Sequence, residues 1–291
     1  MPVYEIRCPI PPKTVDAAET LLLEFEDTRW SVAEDVLAGT AAIVGLFESE
    51  AEAREQWARL APYVRVCGEP EVRELADTDW RESYKLHFKP WSIGRLHWVP
   101  LWERESYALP AGHEVVWLDP GMAFGTGNHE TTRLCVERLV ALAEAGEAAG
   151  RSLIDAGCGS GILAISAARL GFGPVAAFDN DPDAVRIAGE NAALNEVADR
   201  ISLHEGDLRT GFLGRQWDVV VANILANVLV AHADELVAAV RPGGLLVLSG
   251  ILAGEAEAVR ARFREAAPGW AVDSRTMGEW ADVALRRPQA G

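Results

Sequence analysis

Cysteine is scarce and scattered in this chain. Cys8, Cys67, Cys135 and Cys158 form no Cys-x-x-Cys pair. That spacing speaks against a disulfide frame or a zinc site and points to reduced thiols. Long apolar runs are missing too, so no segment reads as a bilayer span. The first residues, Met1 to Glu5, lack the basic-then-apolar pattern of a signal peptide, and a cytoplasmic protein is expected. Positive charge is in short supply: 27 Lys and Arg against 44 Asp and Glu leave a net charge of -17. Binding to nucleic acid through broad surface charge is therefore not expected. The acidity suits solubility or the steering of a basic partner, and charge alone does not choose between them.

What is present is enough for two domains, or for one large domain with an appendage. The chain has 291 residues, and 49% of them are hydrophobic. Val3 to Ile10 has strand character. After Pro11-Pro12, the residues Val15, Ala18, Leu22 and Phe25 fall at helical spacing. Trp30 to Val36 and Thr40 to Phe47 read as strands. Ser49 is placed to cap a helix over Glu50 to Leu60, and Val64 to Val66, extended as far as Val72, reads as another strand. The order β-α-β-β-α-β predicts a small ferredoxin-like α+β domain over residues 1–75.

Residues 76–112 form an aromatic-rich connector that contains Trp80, Tyr84, Phe88, Trp91, Trp98, Trp102 and Tyr107, interleaved with basic residues. Stacking of bases on these rings is one reading; rings packed against neighbouring structure is the other, favoured by the acidic surroundings. From residue 113 onward strand and helix alternate. Strands are predicted at Ser152–Asp155, Val175–Asp179, Ile201–Glu205, Trp217–Ala222 and Leu245–Leu248, with a terminal hairpin at Trp270–Ser274 and Trp280–Arg286. Helices are predicted at Ile162–Leu170, from Asp181-Pro182 through Asn191, near Val228–Val240, and at Glu255–Ala266. This is an α/β pattern: a doubly wound, seven-stranded Rossmann-like sheet that binds its ligand beyond the C-terminal strand ends.

The first strand of that sheet runs straight into Asp155-Ala156-Gly157-Cys158-Gly159-Ser160-Gly161, and the second ends at Asp179. A strand, a glycine turn, a helix and an acidic strand end make a nucleoside site. The glycines Gly157, Gly159 and Gly161 are spaced G-x-G-x-G, and position 162 is Ile rather than the third glycine of a dinucleotide motif. Asp155 would repel a pyrophosphate but suits a positively charged ligand. S-adenosylmethionine has no phosphate and carries an ammonium and a sulfonium, so the residues favour it as cofactor. Asp179 is assigned to the ribose hydroxyls and Asp207, after the third strand, to the adenine amine. Asn223 ends the fourth strand, where amine-methylating enzymes often carry Asn or Asp before Pro-Pro; here the prolines are absent. Its carbonyl is assigned to hold an amine for methyl transfer. No metal is needed for that chemistry.

The segment Leu118-Asp119-Pro120-Gly121-Met122-Ala123-Phe124-Gly125-Thr126-Gly127-Asn128-His129-Glu130-Thr131-Thr132 resembles the one preceding the cofactor domain of bacterial ribosomal protein L11 methyltransferases. The likeness continues through Asp155 to Ile165, Asp179 to Pro182 and Val219 to Ala226. It also covers Asp79-Trp80 and Arg95 to Pro100 in the connector. Asn128, Glu130 and Asn180 depart from the family pattern without removing a proposed contact. The resemblance implies cofactor contacts from Thr132, Gly157, Asp179 and Asn223, and a substrate loop comprising Phe124, Gly125, Thr126, Gly127 and His129. It further implies a methyltransferase domain over residues 113–291, with an N-terminal domain that recognises the ribosomal protein. The expected partner is that protein, met free rather than only on the ribosome. A monomer is expected, with no DNA and no membrane partner. A methyltransferase acting on another protein or a small amine stays open, as do a nicotinamide-dependent oxidoreductase and an RNA-binding module without catalysis.

Overall fold

In residues 3–10 the side chains of Ile6, Cys8 and Ile10 are buried while Arg7 and Pro9 are exposed, the two-residue period of a strand with one face on a core. The computed structural model describes residues 3–15, 18, 21–22, 29–35, 40–75, 89–118 and 129–289. It divides the chain into two compact units, Met1–Phe88 and Lys89–Gly291.

The first unit contains β1 (Val3–Ile10), β2 (Trp30–Asp35), β3 (Thr40–Phe47), helix α1 (Glu50–Leu60) and β4 (Glu71–Leu75). Its sheet order is β2-β3-β1-β4, antiparallel at each step, the arrangement a ferredoxin-like chain order produces. Val15, Ala18 and Leu22 are helical and reach the core; the rest of the helix predicted over residues 15–25 lies outside the described residues. Helix α1 starts where Ser49 Oγ accepts from the Glu52 N–H at 3.2 Å, while the Glu52 carboxylate accepts from the Glu48 N–H at 3.3 Å. Ala53, Trp57 and Leu60 form its buried face. Gly45 is required opposite Trp30: a Cβ there would stand 2.5 Å from the indole ring. The last strand begins later than its apolar residues suggest. Val64 to Pro70 is irregular, because Gly68 and Pro70 interrupt it, and pairing with β1 starts at Glu71.

In the second unit, β5 (Trp91–Ile93), β6 (Leu96–Pro100) and β7 (Glu114–Leu118) make a three-stranded sheet. Residues 89–112, read from sequence as connector, therefore belong to this unit. Trp98 is fully buried, stacks on Trp91 with ring centres 4.0 Å apart, and donates from Nε1 to Ser166 Oγ at 3.1 Å. That leaves it no face for a base. Trp80, Tyr84 and Phe88 lie outside the described residues.

Helix α2 (Glu130–Glu144) follows, then β8 (Leu153–Ala156), α3 (Ile162–Leu170), β9 (Val175–Asp179), α4 (Pro182–Leu194), β10 (Ile201–Glu205), β11 (Trp217–Asn223), α5 (Ala226–Ala231), α6 (Ala233–Ala238), β12 (Val240–Leu252), α7 (Ala256–Ala266), β13 (Ala271–Met277) and β14 (Trp280–Arg286). The seven strands order as β10-β9-β8-β11-β12-β14-β13. The first five are mutually parallel, β14 is antiparallel to β12, and β13 is antiparallel to β14. Both faces of the central strands are buried. Val219 and Val221 face α2, α3 and α4, whereas Val220 and Ala222 face the layer of α5, α6 and α7. The helix predicted over residues 228–240 is split at His232 into α5 and α6, and β12 begins already at Val240. Pro242 to Gly244, expected as a turn, lie within that long strand across a register shift.

A buried carboxylate ties α2 to the terminal hairpin. Asp282 has 0% exposure. Its oxygens accept from Arg138 Nε and Nη2, both at 2.9 Å, and from Arg275 at its backbone N–H (2.9 Å), Nε (3.1 Å) and Nη2 (2.6 Å). Arg275 also donates to the Leu134 carbonyl and the Glu137 carboxylate on α2. Removing the shared acceptor leaves Arg138 with the Asp273 carboxylate alone and Arg275 with the Glu137 carboxylate alone, and takes away the bidentate partner that both share. Asp282→Ala should cost about 3–5 kcal/mol in urea unfolding. Breaking the exposed Arg54–Glu50 pair by Arg54→Ala should cost under about 0.5 kcal/mol.

Candidate active site

The chain order reverses direction between β8 and β11, which lie side by side, so the crevice beyond their C-terminal ends is the ligand position of such a sheet. The glycine turn leaves β8 there. Gly157, Gly159 and Gly161 have φ of 76°, 51° and 77°, left-handed values that a side chain resists. A Cβ on Gly157 would meet Ile224 at 2.6 Å, and one on Gly161 would meet Ala188 at 2.9 Å. On Gly159 it would meet nothing within 4 Å among the described residues. Two glycines thus serve packing, and the third presents backbone without a side-chain neighbour among those residues.

Asp155 lies beneath this turn at 1% exposure. Its Oδ2 accepts from the Ala164 N–H, in the first turn of α3, at 3.1 Å. Its Oδ1 is buried with no hydrogen-bond partner among the described residues. Burial, reinforced by the nearby Asp179 charge and only partly offset by the Ala164 hydrogen bond, pushes the carboxyl up to about 7. A half-satisfied buried carboxylate of this kind calls for a cation or a donor.

Asp179, at the tip of β9, accepts from the Gly159 N–H at 2.9 Å and from the Asp181 N–H at 3.1 Å. One oxygen therefore holds the glycine turn and the other the start of α4, and each keeps a further lone pair. Asp207 is exposed. Its Oδ1 takes the Thr210 hydroxyl and N–H, both at 2.8 Å, and the Arg209 N–H at 2.9 Å. Those bonds, the Thr210 hydroxyl foremost, hold its carboxyl below the usual range, while Oδ2 stays clear of the turn.

Asn223 and Thr132, linked in the sequence only by resemblance, come together: Asn223 Nδ2 donates to Thr132 Oγ1 at 3.4 Å. Asn223 ends β11, and buried Thr132 sits in the first turn of α2. His129 is the N-cap of that helix. Its Nδ1 accepts from the Thr131 N–H at 3.3 Å and lies 2.8 Å from Thr131 Oγ1, and its ring meets the edge of Trp280. It orders the helix start. Phe124, Gly125, Thr126 and Gly127 lie outside the described residues. Burial pushes the Cys158 and Cys135 thiols far up, so both stay protonated and unreactive.

Two contributors were not picked out by sequence. Ile224 packs on Gly157, and Asn191 of α4 donates from Nδ2 to the Ser160 carbonyl inside the glycine turn at 2.9 Å. An apolar residue after a strand and an asparagine within a helix carry no motif. The bare Gly159 backbone, the unpaired Asp155 oxygen and the spare Asp179 lone pairs together fit a phosphate-free nucleoside that bears a positive group.

Comparison with known proteins agrees with this geometry. A family model described as ribosomal protein L11 methyltransferase (PrmA) matches residues 13–288. A protein of that name from Trichlorobacter lovleyi is 47% identical over 221 residues, covering 75% of this chain and 71% of the relative. One from Pseudomonas aeruginosa is 40% identical over 283 residues, covering 90% and 92%. The crystal structure of a ribosomal protein L11 methylase from Lactobacillus delbrueckii subsp. bulgaricus superposes with a TM-score of 0.59 at 32% identity, covering 68% of this chain and 97% of that one. Matched along nearly its whole length, the chain belongs to the ribosomal protein L11 methyltransferase family.

Proposed function

We propose that the protein is a cytoplasmic S-adenosylmethionine-dependent N-methyltransferase that modifies lysine side chains and the N-terminal amine of ribosomal protein L11. The observation that carries the cofactor and its placement is the buried Asp155 carboxylate, one oxygen unpaired, beneath a glycine turn at the switch point. S-adenosylmethionine, when bound, supplies a methyl group activated by a cationic sulfonium. Asp155 pairs with the ligand ammonium. Gly159 lets the backbone approach closely, Asp179 accepts from the ribose hydroxyls, and Asp207 accepts from the adenine amine through Oδ2. Gly157 and Gly161 hold the turn against Ile224 and Ala188.

Asn223 handles the acceptor. Its Nδ2 is directed to Thr132, which leaves Oδ1 to accept an N–H from the incoming amine and fix the nitrogen lone pair. The amine must arrive neutral, and a free lysine has a pKa of about 10.4. Exclusion of water beside a cationic centre lowers that value, and the proton leaves to solvent before the amine is enclosed. Alignment of the reacting atoms supplies most of the acceleration. Residues 1–75 are the recognition domain, and Phe124 to Gly127 with His129 belong to the acceptor side. The net charge of -17 steers a basic protein toward the enzyme. Among the described residues no helix is long and apolar enough to cross a membrane. The working unit is a monomer acting on free substrate, without DNA or membrane.

Mass spectrometry of purified L11 after incubation with enzyme and cofactor should show added methyl groups on lysines and the N-terminus. Labelling of a different protein in whole lysate, with L11 unmodified, would reassign the acceptor. Asn223→Ala should lower turnover about 100-fold while the cofactor Kd stays within about threefold; equal loss of both would remove its amine-positioning role.

Asp155 couples pH to binding and to stability. Calorimetry should show cofactor affinity weakening by up to about tenfold per pH unit below 7, as the carboxylate takes up its proton. Asp155→Asn should bind weakly and without that dependence. Without cofactor the sign is reversed. A folded pKa near 7 against an unfolded value of 3.8 makes the proton a stabilising ligand of the native state. Its contribution is complete below about pH 4 and is lost as pH rises through 7, of order 4 kcal/mol in all. Asp155→Asn should remove this slope from thermal unfolding measured between pH 5 and 8.

A further inference from the structure

A cavity of about 820 Å³ lies at the other end of the large sheet, where β11 begins. Small-molecule sites span about 300–1,000 Å³. Leu208, Phe212 and Trp217 contribute to its walls, and all three belong to the apolar layer that α5, α6 and α7 cover. Trp217 opens β11 and Asn223 closes it, so the strand sets this cavity apart from the crevice beyond its C-terminal end by about 20 Å. The cavity is a separate place from the proposed cofactor site.

A strained turn builds one wall. The Arg215 N–H donates to the Phe212 carbonyl at 3.0 Å, and the two residues between them, Leu213 and Gly214, have left-handed φ of 55° and 65°. Glycine takes such an angle freely, but leucine resists it. Leu213 is also 58% exposed, so burial of its side chain does not offset the strain. The turn keeps Phe212 in the apolar layer and brings Arg215 to the cavity wall. Charge is gathered at the same wall. Arg209, Arg215 and Arg241 line the cavity against one carboxylate, Glu235, an excess of two positive charges in a chain whose net charge is -17. Arg241 gives one nitrogen to Asp218 at 3.1 Å, and Arg209 stands 3.9 Å from Glu235. The Arg215 side chain has no hydrogen-bond or ion-pair partner among the described residues. Trp217, 5% exposed, likewise has an indole N–H without a partner among them. A buried donor of that kind calls for an acceptor.

We propose that this cavity, lined by Arg209, Arg215 and Arg241 over Leu208, Phe212 and Trp217, is a second ligand site that takes a nucleoside monophosphate. Its phosphate is a dianion, which matches the excess positive charge of the lining. Guanidinium groups present paired N–H donors that suit phosphate oxygens. The nucleoside has a flat, largely apolar body for the walls, and Trp217 supplies an unused donor for an acceptor on it. Inorganic phosphate satisfies the arginines but leaves the apolar walls and most of the volume unfilled. A polynucleotide is disfavoured, since three arginines in a concavity offer no track for a chain and the rest of the protein is acidic.

The test is calorimetric titration of the full chain with each of the four ribonucleoside monophosphates and with inorganic phosphate, repeated with S-adenosylhomocysteine present at saturation. At least one monophosphate should bind with a Kd below about 1 mM and at least about tenfold more tightly than inorganic phosphate, with S-adenosylhomocysteine changing that Kd by less than about twofold. Arg215→Ala, a change at an exposed side chain, should weaken it at least about tenfold through loss of a charge-assisted hydrogen bond. Arg262→Ala, which removes a cation paired with Asp234 outside the cavity lining, should leave it within about twofold. Four outcomes overturn the site: no monophosphate binding below about 1 mM, inorganic phosphate binding as tightly as the nucleotides, equal losses in the two arginine variants, or displacement by S-adenosylhomocysteine, which would move the nucleotide to the crevice beyond β8. Titration of S-adenosylhomocysteine alone reports separately on the methyltransferase reading.

Discussion

A carboxylate buried at the end of β8 with one oxygen unpaired is the constraint around which this catalytic unit is organised. An ionised Asp155 in that position is expensive, and the fold meets only part of the cost. The left-handed glycines turn the chain back so that α3 starts above the strand end and offers the Ala164 N–H to Oδ2. The first N–H groups of a helix have no partner within it, and the helix dipole favours negative charge there. Burial still outweighs this help, since the carboxyl sits near 7. On the proposed reading, the remaining deficit is what a cationic ligand would remove, so a preference for a positively charged nucleoside and a loss of stability of the empty protein as pH rises through 7 would share one physical cause.

The rest of the unit supplies rigid frames on either side of that carboxylate. Helix α2, which carries Thr132, is bound to the terminal hairpin through Arg275, Arg138 and buried Asp282. Helix α4 packs Ala188 against Gly161 and holds Ser160 through Asn191, and its C-cap Asn195 holds Trp117. Asn223 grows from β11, whose neighbours on both sides are parallel strands. Of the residues assigned to the ligand, Asp155, Asp179, Asn223 and Thr132 stand on regular elements, whereas Gly159 and Asp207 stand on the turns that follow β8 and β10. Polar contacts of this kind fix relative placement more sharply than apolar packing does, because an alternative placement leaves them unsatisfied.

Much of this frame was legible in the residues. The bounds of β9, β10 and α3 follow from an apolar run closed by an acid or a glycine, and α1 follows from its Ser49 cap. Asp155, Asp179 and Asn223 were legible as residues at the ends of strands that the topology brings side by side. What escaped has physical reasons. The start of β4 was misplaced because valines at 64 and 66 outweighed Pro70. The end of the helix predicted over residues 228–240, at Ala238, depends on Val240 entering the sheet beside Trp217, a tertiary matter. Asn195 reads locally as an ordinary residue at a helix end, where asparagine is common. Its partner is 78 positions away, and no periodicity reports a side chain that completes another strand's hydrogen bonding.

The choice of a neutral amide at 223 follows from the same electrostatics. A carboxylate facing the acceptor would stabilise its ammonium form and raise the pKa that must be lowered before the nitrogen has a lone pair to give. An amide oxygen accepts an N–H without adding a negative charge, so it holds the neutral amine with less bias toward protonation. On the proposed assignment, Thr132 takes the Nδ2 end and the Oδ1 end would be left for the amine, so one hydroxyl on α2 would set which pole of the Asn223 side chain the substrate meets.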